Sequence, residues 1–160
     1  MATITETVEI IGGETITKSW DDGTGPIIEF QSQEQLDACL SEWQERLFLS
    51  DWIIRAKVVK RHEMTLSGCH GENEYQSAIK CCMIRIMELD EDVKDRISKV
   101  SDELTLVHEL LHCKFVMTDG AESTVEGNFM GAYEHSLLEQ MAKSLIMAKY
   151  NIPFSWFKNF

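Results

Sequence analysis

Residues Ser101–Phe115 read SDELTLVHELLHCKF, and within them His108-Glu109-Leu110-Leu111-His112 has the form HExxH. Leu104, Leu106, Val107, Leu110, Leu111 and Phe115 surround the motif, so the segment reads as a helix that is apolar on most sides and therefore buried. Ser101 can cap it, Asp102 and Glu103 suit the positive end of its dipole, and it should run to about Met117. Residues four apart share a helical face. His108 and His112 can thus aim at one metal ion, while Glu109, one residue further round, reaches a water on that ion without being a ligand. Zinc brings such a water to a pKa of about 7, and the glutamate can take its proton. Two histidines and a glutamate inside an apolar helix need partners, because unpaired polar groups there cost several kcal/mol.

A catalytic zinc keeps three protein ligands. The final helix, from about Ala132 to Tyr150, ends before Pro153. Glu134 there shares spacings of 3, 4, 7 and 11 with Leu137, Leu138, Met141 and Leu145, which places it on the apolar face as the third ligand. His135 and Glu126 are the alternatives. Glu139 groups with Ser136 and Lys143 on a face that reads as solvated.

Working outward, Thr3–Ile11 and Glu14–Trp20 flank Gly12-Gly13 and predict a β-hairpin closed by a two-residue turn. Residues 1–30 are read as that arm and 31–160 as the main domain. Ser32 and Gln35 form a capping box for a helix whose Leu36, Cys39, Leu40, Trp43 and Leu47 make one apolar stripe. Trp52–Lys60, Met64–Cys69 and Ser77–Met87 read as three successive strands of a small antiparallel sheet, with His70–Tyr75 a polar turn. Cys69-His70 with His62 fits no zinc spacing, and adjacent Cys81 and Cys82 point to opposite sheet faces. Phe154, Trp156, Phe157 and Phe160 either dock on the core or form a partner contact or a plug over the cleft.

The chain has 160 residues, one domain's worth. Its net charge of −12 disfavours nucleic acid and anionic membrane surfaces as partners. No apolar run is long enough to span a bilayer, and MATITETVEI has no signal-peptide pattern. Five cysteines without a CxxC spacing suit a reducing, cytoplasmic setting.

Ser101–Phe115 together with Ala132–Leu145 (AYEHSLLEQMAKSL) resembles the small zincin-like metallopeptidases often encoded by phages and prophages. Leu47–Ile54 (LFLSDWII) shares their Leu-x-x-x-Asp-Trp-x-Ile pattern, and the likeness runs from Gln33 to Tyr150. It implies an α+β zincin-like domain with the hairpin added, a zinc cofactor held by His108, His112 and Glu134, and Glu109 as general base. The acidic residue such enzymes often carry four positions after the third ligand would be position 138, which is Leu. The resemblance further implies that a peptide or protein substrate adds to an edge strand matched to Ser77–Met87, against Ile79, Cys81 and Met83. Tyr133 or Tyr75 would then serve the transition-state oxyanion. The competing expectation is a catalytically silent zinc-containing interaction or structural protein, with self-association or a protein partner on the hairpin or the aromatic tail.

Overall fold

The computed structural model describes residues 5–9, 15–19, 25–88, 101–115 and 129–159. Strands β1 (Thr5–Glu9) and β2 (Thr15–Ser19) form the N-terminal hairpin. Glu9 stands opposite Thr15, and the expected Gly12-Gly13 turn lies outside the described residues.

The rest of the described residues are α+β, with three α-helices and a three-stranded mixed sheet among them. Helix α1 (Gln33–Arg46) starts where Ser32 Oγ accepts from Gln35 N at 3.2 Å. Gln35 Oε1 reaches back to Gln31 N, one residue short of a full capping box. Leu36, Cys39, Leu40, Trp43 and Leu47 are buried, as their stripe requires.

Strands β3 (Ile53–Val59), β4 (Gly71–Gln76) and β5 (Cys81–Met87) lie in the order β3-β5-β4. β3 is parallel to β5 and β4 antiparallel to it. This corrects the expected antiparallel meander. Met64–Cys69 is not a strand, Ser77–Ile79 is a 3-10 turn, and the supposed polar turn supplies β4. GENEYQ looks like a loop by hydropathy, but its charges are paired across the ladder. Arg85 reaches Glu72 at 3.0 Å and Glu74 at 3.3 Å, and the buried Glu72 carboxylate also accepts from Thr65 N and Leu66 N.

One sheet face, built from Ile54, Ala56, Cys82, Ile84 and Ile86, is buried in the core with α1 and helix α2 (Asp102–Phe115). The even-numbered carbonyls of β3 point away from β5, and α1 caps one within the strand and one just before it. Gln44 Nε2 donates to Trp52 O at 3.2 Å and Gln33 Nε2 to Ala56 O at 2.9 Å. β4 is the opposite edge of the sheet.

The N-terminal end of α2 is tied down firmly. Ser101 Oγ accepts from Leu104 N at 3.3 Å, Asp102 N donates to Ile28 O at 3.0 Å, and Phe30 N donates to Asp102 Oδ2 at 2.9 Å. Residues 27–30, grouped with the arm on sequence grounds, are thereby held by the main body. Helix α3 (Phe129–Tyr150) begins three residues earlier than expected and buries Leu138, Ala142 and Ile146. Trp156 and Phe157 of the tail dock into the core, while Phe154 is exposed. Among the described residues no helix is long and apolar enough to cross a membrane.

Candidate metal centre

Helix α2 is buried along almost its whole length. Leu106, Val107 and Leu110 are fully covered, and each such burial contributes about 1.5–3 kcal/mol. That packing fixes the rotation of the helix and presents His108 and His112 together. Their Nε2 atoms are 3.2 Å apart. Two nitrogens on one tetrahedral ion with bonds of about 2.0–2.1 Å would be separated by about 3.3 Å.

A third imidazole comes from α3. The His135 ring centroid lies 4.5 Å from that of His108 and 5.8 Å from that of His112. Each of the three histidines offers a nitrogen within 4.8 Å of the others, and the group could hold a metal ion. The electrostatics suit that role. Burial, reinforced by the charges of His108 and His135, pushes His112 down to about 4. Burial and His108 also lower His135, with Glu139 opposing. At neutral pH both are uncharged imidazoles, the form that donates a lone pair.

Glu139 sits one turn after His135, and its Oε2 is 3.2 Å from His108 Nδ1. The two atoms are within hydrogen-bond distance, although their alignment is poor. The contact holds the Glu139 carboxyl down to about 2 against the effect of burial, with Lys143 at 3.0 Å adding to it. A carboxylate behind a ligand histidine fixes the ring's orientation and raises its basicity. Its assignment to a solvated face is therefore corrected. The buried stripe of α3 is Leu138-Ala142-Ile146, while Leu137 is 44% exposed. The inward face is thus turned by roughly 80° from the one the leucines suggested, taking 100° per residue. That turn brings His135 and Glu139 onto α2. The available signal was the four-residue step from His135 to Glu139, the spacing of a ligand and its support on one face.

Glu109 is buried beside the histidines. Burial raises its carboxyl to about 7, the charge of His108 opposes this and that of Glu72 adds to it. Among the described residues its carboxylate has no hydrogen-bond donor. It packs instead on the first residue of β4, where a Cβ built on Gly71 would come within 2.6 Å of Glu109 Oε1. Asn73 Nδ2 donates to Glu109 O at 3.1 Å and joins the edge strand to the helix.

The side chains of Glu134 and Tyr133 and the whole of Glu126 lie outside the described residues. The structure brings His108, Glu109, His112 and His135 together. It separates them from the substrate segment expected on Ser77–Met87. Ile79 is in the 3-10 turn, and Cys81 and Met83 belong to β5, the central strand, whose main chain is already paired on both sides. The edge beside the motif is β4. Tyr75 lies on that edge and is 43% exposed. All five cysteines are free thiols, and Cys113, next to His112, is packed in the core. No family model, curated protein or solved structure matches this chain.

Proposed function

We propose that this protein is a zinc-dependent metallopeptidase of zincin-like fold. The observation that carries the reading is the HExxH helix itself, with His108 and His112 Nε2 at 3.2 Å and His135 completing a three-nitrogen group. His108, His112 and His135 would hold the metal, with Glu139 steadying His108. When bound, zinc supplies a Lewis acid that polarises the peptide carbonyl and makes water acidic near neutral pH. Glu109 accepts the proton of the attacking water and passes it to the leaving amine. Its unpartnered carboxylate is free to point at that water. The outward main-chain groups of β4, at Gly71 and Asn73, offer an extended substrate a ladder beside Glu109. This takes over the role expected of Ser77–Met87.

The test is metal content and cleavage together. Wild type purified without chelator should carry close to one zinc per chain by elemental mass spectrometry. His135→Ala should carry much less, and Glu134→Ala should keep its zinc. Wild type should cleave casein and stop when chelator is added. Full zinc in His135→Ala with loss in Glu134→Ala would move the third ligand to Glu134. A folded wild type that takes up no zinc would remove the basis of the enzyme reading.

A further inference from the structure

A Cβ built on Gly71 would lie 2.5 Å from Thr105 Cγ2, 2.6 Å from Glu109 Oε1 and 3.0 Å from Glu109 Cγ. We propose that Gly71 is a positioning residue for the general base: the space left by its missing side chain is the seat that fixes where the Glu109 carboxylate stands. The inference rests on the peptidase reading above and deepens it.

The argument starts from what glycine does not supply here. Gly68 has a φ of 83°, whereas Gly71 has no positive φ. The backbone at Gly71 is one that any residue adopts, and Gly71 stands opposite Ile86 in regular register. What the position needs from glycine is room for a close approach. Thr105 and Glu109 are one turn apart on the same face of α2, and Gly71 lies against both. Thr105 Oγ1 donates to Ser101 O at 3.1 Å, and the Thr105 methyl faces the strand. Two residues along β4, Asn73 Nδ2 donates to Glu109 O at 3.1 Å. Alternate strand positions share a face, so Gly71 and Asn73 meet the helix together. The Asn73 amide holds the main chain of Glu109, and the gap at Gly71 receives its side chain.

The contact atoms set what a methyl at this position would do. Glu109 Oε1 is the free end of a flexible side chain, and swinging it away is the cheapest relief. Thr105 Cγ2 is short and held by the helix. Alanine in place of glycine therefore moves the base and leaves the two histidines of the motif where they are. A misplacement of about 1 Å at a catalytic group costs about 100-fold in rate.

The test isolates the Glu109 contact. Thr105→Ser removes the methyl and keeps the hydroxyl, so in that background the added Cβ meets Glu109 alone. Crystal structures of the zinc-loaded Thr105→Ser protein with and without Gly71→Ala are compared, and casein cleavage by both is fitted for kcat and KM. Gly71→Ala should move the Glu109 carboxylate by about 1 Å or more and lower kcat about 100-fold. KM and zinc content should match the parent, because alanine keeps the outward N–H and C=O of the strand. A carboxylate that stays in place, an unchanged kcat, or a loss confined to KM would each overturn the positioning role and leave the peptidase reading standing. If the double variant does not fold, adding Glu109→Ala decides the matter. Recovery of folding would locate the clash at Glu109, and continued failure would show that the strand itself needs the glycine and overturn the inference. A displaced carboxylate in a protein whose zinc-loaded wild type cleaves nothing would overturn the peptidase reading, and the positioning role with it.

Discussion

Helix α2 carries three buried carboxylates, and its two ends treat them differently. At the N-terminal end, Glu103 has no exposed surface and is fully satisfied. Its Oε1 accepts from Trp43 Nε1 and Lys149 Nζ, both at 2.8 Å, and its Oε2 from Ile27 N at 2.9 Å and Tyr150 OH at 2.7 Å. The carboxylate of Asp102 beside it has a single donor among the described residues, Phe30 N. Two turns on, Glu109 is also buried, at 6% exposure against 0% for Glu103, and its carboxylate has no donor among the described residues. A buried polar group is normally hydrogen-bonded, and the exceptions call for a reason. Glu103 is a structural joint linking the 27–30 segment, α1 and the end of α3. Under the proposed function, Glu109 is the carboxylate left available for the attacking water.

The sharpest way to break that contrast is to make the same change at both ends. Glu109→Gln should lower peptide cleavage by two to four orders of magnitude, the usual contribution of a positioned general base. It should leave zinc content unchanged and stability equal or higher, since an amide is cheaper to bury than an unpaired carboxylate. Glu103→Gln should lower stability by about 3 kcal/mol, because it leaves the Lys149 ammonium with only Glu42 as its counter-charge. Denaturant titration and casein turnover on both variants decide the matter. Substantial turnover in Glu109→Gln would sink the base assignment, and an unperturbed Glu103→Gln would remove the joint.

Asp102 tests the middle of the series through pH. Burial raises its carboxyl to about 6, with Phe30 N opposing and the charge of Glu29 adding. A raised carboxyl pKa means that the folded chain holds a proton the unfolded chain has released. This contribution is therefore present at low pH and lost as pH rises from about 4 to about 6. Its full size is about 2–3 kcal/mol. Asp102→Asn keeps an acceptor for Phe30 N and should remove that downward slope from the stability profile. An unchanged profile between pH 4 and 6 would show that Asp102 is no worse solvated than in the unfolded chain.

How much of this was legible in the sequence follows from which forces act locally. The caps of α1 and α2, the α1 stripe and the HExxH geometry depend on neighbours three or four residues away, and all were readable. The sheet was not, because GENEYQ becomes a strand through Arg85, which is remote from it and pairs with two of its glutamates. The turn of α3 that carries His135 towards α2 was hidden for a similar reason. Leu137, Leu138, Met141 and Leu145 define a wide apolar face, and only packing against α2 selects the side of it that turns inward. The Lys149–Glu103 joint spans 46 residues and left no local trace.

The smallest expected effect probes a fourth carboxylate, Glu139, which belongs to the site but not to α2. It resembles Glu103 in having basic partners and Glu109 in serving the site, so it separates the two roles. If its work is to orient His108, Glu139→Gln should weaken zinc binding 10- to 100-fold, the range for a support behind a ligand histidine. The metal-free protein should lose little, because the pair is 39% exposed on the glutamate side and such pairs contribute about 0–1 kcal/mol. Competition with a fluorescent zinc chelator measures the first quantity and thermal unfolding of the metal-free protein the second. A variant that loses stability without losing zinc affinity would place Glu139 with Glu103, as a strut between α2 and α3. Lys143→Met tells the same roles apart from the other side, since it removes the second partner of Glu139 while leaving the His108 contact in place.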